Sequence, residues 1–253
     1  MGLDRIISNI KAMREDGFVI NQDNLNSHIT QRFQHSIGAK KLYVLMPSWR
    51  GKLKYSDKLS QELKKKGVSF LTYEFPIGIL SSDYISTRDY FSIIRERVNS
   101  DISQLKKEYN FTNFEMAGVS LGCVNASMII NENPIFEDIS LIVPGHCLAE
   151  SMWNGFRTQH LRQEFENKGM TQEQLIEEWS ELAPMNNLDG FKNSKVRVFL
   201  STADEIISYQ CGKKLVEKME SAGIKPKVKT FPLLGHYGTS YLFYIFPGLF
   251  KKS

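Results

Sequence analysis

The chain has 253 residues, 42% of them hydrophobic and 24% charged, which is enough apolar material to build one sizeable packed domain. Its 32 Lys and Arg against 28 Asp and Glu leave a net charge of only +4, and the basic residues are scattered, so the composition excludes a nucleic-acid-binding surface. The three cysteines, Cys123, Cys147 and Cys211, are too few and too far apart for a disulfide framework or a zinc cluster and point to a reducing, cytoplasmic setting.

The first residues, "MGLDRIISNIKAMREDGF", break their apolar positions with charges, unlike a signal peptide, and Ile6 stands where a myristoylation signal needs Ser or Thr. Residues 17–34 alternate weakly and predict an edge hairpin. "KLYVLMP" (41–47) reads as a buried strand, "YSDKLSQELKKKG" (55–67) as a helix closed by Gly67, and "VSFLTYEF" (68–75) as a second strand stopped by Pro76. From Thr87 to Tyr109, Tyr90, Ile94, Val98, Ile102 and Leu105 recur at helical spacing. A strand at 114–118, a small-residue helix at 121–130 and a strand at 139–145 follow.

Residues 147–185 carry no strand signal. "TQEQLIEEWSELAP" opens on the capping-box pair Thr171 and Gln174 and places Leu175, Ile176, Trp179 and Leu182 on one face. Two helices are expected here, as a small cap over one end of the sheet or as a long crossover around a buried Trp. A strand at 195–201, a helix at 205–223, a strand at 225–232 and a C-terminal helix complete the chain. The tail "YLFYIFPGLF" (241–250) is too short to span a bilayer and holds Pro247, so no stable membrane insertion is expected. Packing onto the sheet, or a homodimer or lipid contact, are its two readings. Continuous apolar strands alternating with helices predict a single α/β domain over 1–253, with a mostly parallel sheet covered on both faces.

One short motif carries chemistry. In "EMAGVSLGCV" (115–124), Ser120 is flanked two residues away on each side by Gly118 and Gly122, where a predicted strand runs directly into a predicted helix. A turn that sharp strains the serine backbone and leaves no room for side chains at the flanking positions, while it lifts the hydroxyl above the carboxyl edge of the sheet. By itself the pattern also fits a structural turn serine. A nucleophilic serine needs a base, and the base needs an orienting acid. Asp204 follows the strand at 195–201 and His236 follows the last strand, so both lie at the edge where Ser120 stands. His146, in "VPGHC", is a rival base, and Glu205 a rival acid that more simply opens the following helix.

From about residue 41 to 252 the sequence resembles the α/β-hydrolase superfamily. The resemblance is carried by the strand–helix order, by "GVSLG", by "STADEII" (201–207) and by "LLGHYG" (233–238), in the chain order serine, aspartate, histidine. It implies an α/β-hydrolase fold, Ser120 as nucleophile, His236 as base and then acid, and Asp204 as its orienter. An oxyanion hole is expected from the amide of Leu121 and from the loop "MPSWRG" (46–51). Many members have His-Gly in that loop. Pro47 has no N–H, which leaves Ser48 or, by position, Trp49.

Together these residues imply acyl transfer from an ester or thioester through an acyl-enzyme, with a small-molecule substrate and no metal or organic cofactor. Ser48, Ile79 in "FPIGILSSDY" (75–84) and Trp153 in the helical insertion are candidate substrate contacts. Arg50, Lys52 and Lys54 are either a site for an anionic head group or solvated surface. An acyltransferase and a non-catalytic binding protein of the same fold are the alternative functions.

Overall fold

A computed structural model of the protein describes residues 28–250. The described residues form a seven-stranded sheet in the order β1-β3-β2-β4-β5-β6-β7. Its strands are β1 (Thr30–Gln34), β2 (Lys41–Met46), β3 (Ser69–Glu74), β4 (Asn113–Val119), β5 (Phe136–Ile142), β6 (Lys195–Ser201) and β7 (Lys227–Phe231). Every neighbouring pair is parallel except β1 with β3. This is the mostly parallel α/β-hydrolase architecture implied by the motifs. Of the hairpin expected at 17–34, β1 is present as an edge strand, and residues 17–27 lie outside the described residues.

The sheet is apolar on both faces because helices cover both. Leu42, Val44 and Met46 of β2 join one core with Phe91, Ile94 and Val98 of α2 (Tyr84–Tyr109), and with α3 (Gly122–Glu132) and α7 (Tyr209–Ser221). Tyr43 and Leu45 face the other way, onto Leu59 and Leu63 of α1 (Asp57–Lys65) and Phe243 of α8 (Gly235–Ile245). Successive strand residues point to opposite faces, so an unbroken apolar run is what a strand buried on both sides requires. The inner face of the tail is packed. Phe250 lies 4.7 Å from Phe199 and 5.3 Å from Phe243, measured between ring centroids.

Three boundaries differ from the periodicity. Helix α2 begins at Tyr84, because the Asp83 carboxylate accepts the Ser86 amide (3.2 Å) and caps it earlier. Strand β5 ends at Ile142. Val143 takes φ +46° and donates its amide to Phe199 (2.8 Å), so the apolar run continues while the strand does not. Helix α7 starts at Tyr209 under a Ser208 cap, leaving residues 202–208 as a loop.

Residues 147–185 hold three α-helices where two were expected: α4 (Leu148–Asn154), α5 (Gln159–Asn167) and α6 (Gln172–Glu178), the first two joined by a 3-10 turn at Phe156–Thr158. The capping box at Thr171 and Gln174 is present, with bonds of 3.3 and 2.8 Å. Trp179 is fully buried, and its indole N–H donates to the Tyr84 carbonyl at 2.9 Å. Trp153, Phe165 and Trp179 belong to the same core as α2 and α3.

The turn from β4 into α3 is closely packed against its neighbours. A Cβ on Gly118 would lie 2.8 Å from the Gly122 carbonyl oxygen and from the Cys123 Cα. A Cβ on Gly122 would lie 2.2 Å from the Met46 carbonyl oxygen and 2.5 Å from that of Pro47, so the helix start is pressed against the end of β2. Backbone on both sides leaves nothing that can move aside. Gly122→Ala is therefore expected to cost about 3 kcal/mol or more of stability. Gly248→Ala, where nothing lies within 4 Å, should be nearly neutral. Chemical denaturation of the two variants checks this, and equal midpoints would contradict it.

Candidate active site

Ser120 sits at the tip of that turn with φ +54°, a conformation rare for a residue with a side chain. It is held there by its own amide, which donates to the Ile142 carbonyl of β5 (2.9 Å), and by its carbonyl, which accepts from the Cys123 amide (2.8 Å). The surrounding packing sustains the strain, and the result is a hydroxyl presented beyond the carboxyl ends of β4 and β5.

Two other strand ends bring their residues to the same place. His236 Nε2 lies 2.8 Å from Ser120 Oγ. Its Nδ1 lies 2.8 and 3.0 Å from the two carboxylate oxygens of Asp204. Asp204 Oδ1 also accepts the amides of Ile206 (2.9 Å) and Ile207 (2.8 Å), which fixes the carboxylate on its loop. The His236 and Asp204 side chains are only 4% and 3% exposed. An ionised carboxylate only accepts, so the network assigns the ring proton to Nδ1 and leaves Nε2 to accept from the serine hydroxyl.

The loop that delivers His236 has its own anchor. Leu233 and Gly235 both take positive φ, at +67° and +62°. The Glu205 carboxylate accepts the His236 backbone amide at 3.1 Å. Glu205 is therefore neither a rival orienting acid nor part of a helix. It is a brace for the histidine loop, made available by the late start of α7, which leaves residues 202–208 as a loop. Local sequence pattern carries no sign of this, because the partner lies 31 residues away.

The rival groups are engaged elsewhere. His146 Nε2 bonds Glu150 Oε2 at 2.8 Å, and burial holds its pKa below the usual histidine value. His146, Glu150 and Cys211 bring potential metal-ligand atoms within 4.8 Å of one another, but the Lys214 ammonium, 3.0 Å from Glu150, already places a cation at that carboxylate. The Cys123 thiol, three residues after the serine, donates to the Gly118 carbonyl at 3.2 Å. Burial raises its pKa far above the usual thiol value, so it stays protonated.

Ser120 and His236 open into a cleft of about 1150 Å³ that Leu121, Ser48 and Trp49 also line. The Trp49 indole N–H donates to the Ile77 carbonyl (2.9 Å), pinning the ring across the mouth of that loop. Two expected contacts do not reach the cleft. Ile79 is 1% exposed and packs into the main core, while its neighbour Leu80 lines the cleft. Trp153 stacks on Phe165 at 6.4 Å inside the same core, and Met152 and Leu148, on another face of α4, line the cleft instead. Of the three basic residues after the loop, Lys52 is paired with Glu74 at 2.7 Å, whereas Arg50 and Lys54 line the cleft. No described helix is long and apolar enough to cross a membrane.

The fold recurs among solved structures. Est1E from Butyrivibrio proteoclasticus, determined with ferulic acid bound, is 13% identical and superposes with a TM-score of 0.61, covering 88% of this chain and 93% of that one. The thermophilic esterase Est2 of Thermogutta terrifontis, with butyrate bound, is 13% identical with a TM-score of 0.61, covering 87% of each chain. An acetyl xylan esterase from Paenibacillus sp. R4 is 12% identical with a TM-score of 0.67, covering 88% of this chain and 79% of that one. At such identities the likeness is one of fold. No curated protein matches the chain in sequence. The model of the prolyl oligopeptidase family matches residues 103–242, more than half of the chain and the stretch that contains Ser120, Asp204 and His236; the chain belongs to the prolyl oligopeptidase family.

Proposed function

We propose that the protein is a serine hydrolase that cleaves a carboxylic ester or thioester through an acyl-enzyme, with Ser120 as nucleophile, His236 as general base and acid, and Asp204 as the residue that orients it. The observation that carries this reading is the unbroken hydrogen-bonded chain from Ser120 Oγ through the imidazole to a buried carboxylate. A serine hydroxyl is a weak nucleophile until a base takes its proton. In the first step His236 Nε2 takes that proton as Oγ bonds the substrate carbonyl carbon. The imidazolium, balanced by Asp204, then returns the proton to the departing alcohol or thiol as the carbon–heteroatom bond breaks. In the second step His236 takes a proton from water, the hydroxide bonds the acyl carbon, and the proton goes back to Oγ as the ester to Ser120 breaks.

The negative charge on the carbonyl oxygen needs donors that are already in place. We assign them to the amides of Leu121, at the start of α3 where helical amides have no intrahelical partner, and of Trp49. The helical segment 147–185 serves as a cap in this scheme, since Leu148 and Met152 of α4 supply an apolar wall to the cleft. That wall favours an apolar acyl group. Small-molecule esters are the first substrates to test, with p-nitroanilides as the amide arm.

A fluorophosphonate probe is expected to label wild-type protein at Ser120 and to leave Ser120→Ala unlabelled, with peptide mass mapping as the readout. Nitrophenyl esters of increasing chain length should be turned over with a burst of phenol equal to the enzyme concentration. Ser120→Ala and His236→Ala are expected to lower kcat by about 10³-fold or more, and Asp204→Asn by a similar order. Labelling at another residue, or ester turnover that survives Ser120→Ala, overturns the assignment. Glu205→Ala should remove about 1 kcal/mol of stability, the size of one partly exposed bond to a charged acceptor. It should also slow turnover more than Glu205→Gln, which keeps an acceptor; melting curves and rates on the two variants check this.

A further inference from the structure

The cleft is basic along one side. Arg50, Lys54, Lys58 and Arg157 line it against a single acid, Asp57, whose carboxylate is paired with Arg32. The Arg157 guanidinium lies 5.1 Å from the centre of the Tyr237 ring, and Arg157 enters no ion pair among the described residues. The Tyr237 ring meets the His236 imidazole edge-on, with centroids 5.7 Å apart. Arg157 is thus one aromatic ring removed from the group that must protonate the leaving group. Arg50, stacked 5.1 Å from the centre of the Trp49 ring, is the second guanidinium that lines the cleft. The carboxylates of Glu205 and Asp204 are both bound to the histidine loop.

Geometry separates the two ends of a substrate. The leaving group departs on the imidazole side, since it takes its proton from His236 Nε2. The apolar wall of Leu80, Leu148 and Met152 suits the acyl chain. A leaving group that extends past His236 over Tyr237 comes under the Arg157 guanidinium, which enters no ion pair among the described residues. An anion placed there meets a planar, permanently charged fork, and Lys54 and Lys58 add positive potential that draws such a substrate in.

We infer that the protein selects esters or thioesters whose leaving group carries an anionic substituent, a carboxylate or a phosphate, received by Arg157 beside Tyr237, with Arg50 as a second cation on the same cleft. This rests on the serine-hydrolase reading for the position of the leaving group.

The test compares substrates with one acyl group and two leaving groups. The carboxylate arm is a 2-nitrophenyl ester against the 3-acyloxy-4-nitrobenzoate, which adds a ring carboxylate. The phosphate arm is the acyl-coenzyme A thioester against the acyl-N-acetylcysteamine thioester. After correction for uncatalysed reactivity, kcat/KM is expected to be about fivefold or more higher for the anionic member of at least one pair. The advantage should shrink as salt rises from about 0.02 to 0.5 M. Arg157→Gln should lower the anionic-to-neutral ratio by about fivefold, and the Arg50→Gln, Arg157→Gln double variant should remove the preference, with Arg157→Lys keeping part of it. The same pairs are titrated calorimetrically into Ser120→Ala protein, which reads anion recognition without turnover. Tighter, salt-sensitive binding of the anionic member supports the inference even if no ester is cleaved. Equal ratios in wild type and double variant, or equal binding of both members of both pairs, overturn it and leave the hydrolase reading standing wherever Ser120-dependent turnover is seen.

Discussion

The constraint on which the site depends is the 2.2 Å that would separate a side chain at residue 122 from the Met46 carbonyl. Strand β2 and helix α3 touch backbone to backbone at this point. Because they touch, only Ser120 and Leu121 separate the end of β4 from the start of α3, and the serine is driven to φ +54°. A looser junction would let Ser120 relax to an ordinary conformation and turn its hydroxyl away from the rim. The other two residues of the network answer to the same edge. Asp204 is fixed by two amides of its own loop, and His236 by a loop with two left-handed residues and a glutamate brace. Three separate local devices, each a few residues long, converge because the parallel sheet delivers every strand end to one side.

Much of this was legible in the sequence, for identifiable reasons. Strands buried on both faces write themselves as unbroken apolar runs, so β2, β3, β4 and β6 were found within a residue or two of their ends. Ser120 and Asp204 each follow such a run, His236 follows the more exposed edge strand β7, and parallel topology brings all three strand ends to one side. The glycines flanking the serine were expected to relieve a collision, and they do. For Gly118 the obstacle is the turn itself, as anticipated. For Gly122 it is the end of a strand some 75 residues earlier in the chain, which no local pattern contains.

What could not be read depends on which face of a short element looks inward. Ile79 and Leu80 are adjacent and both apolar, yet the first is core and the second lines the cleft. Trp153 and Met152 divide in the same way. A 3-10 turn of three residues and a helix of seven are too short for periodicity to assign a face. Glu205 was expected to open a helix because acids favour that position. Instead Asp204 holds the amides of Ile206 and Ile207, the helix waits for Ser208, and Glu205 is left to serve the histidine. Arg157 had no local signal at all; its place over Tyr237 is fixed only once the helical segment has folded back across the sheet.

The Trp179 indole bonded to the Tyr84 carbonyl bears on how material reaches the serine. The indole is fully buried, and Phe165 packs edge-on against it at 6.0 Å. Swinging the helical segment outward as a hinged door would drag that indole into water and break its bond to the long helix. Such a swing exposes buried aromatic surface and leaves a polar group unpaired, a cost the closed arrangement does not carry. With the segment held against the long helix, the way to the serine is the cleft bordered by Trp49 and by Tyr237 and Tyr241 of α8, so the side chains on that border are the ones an arriving molecule meets first.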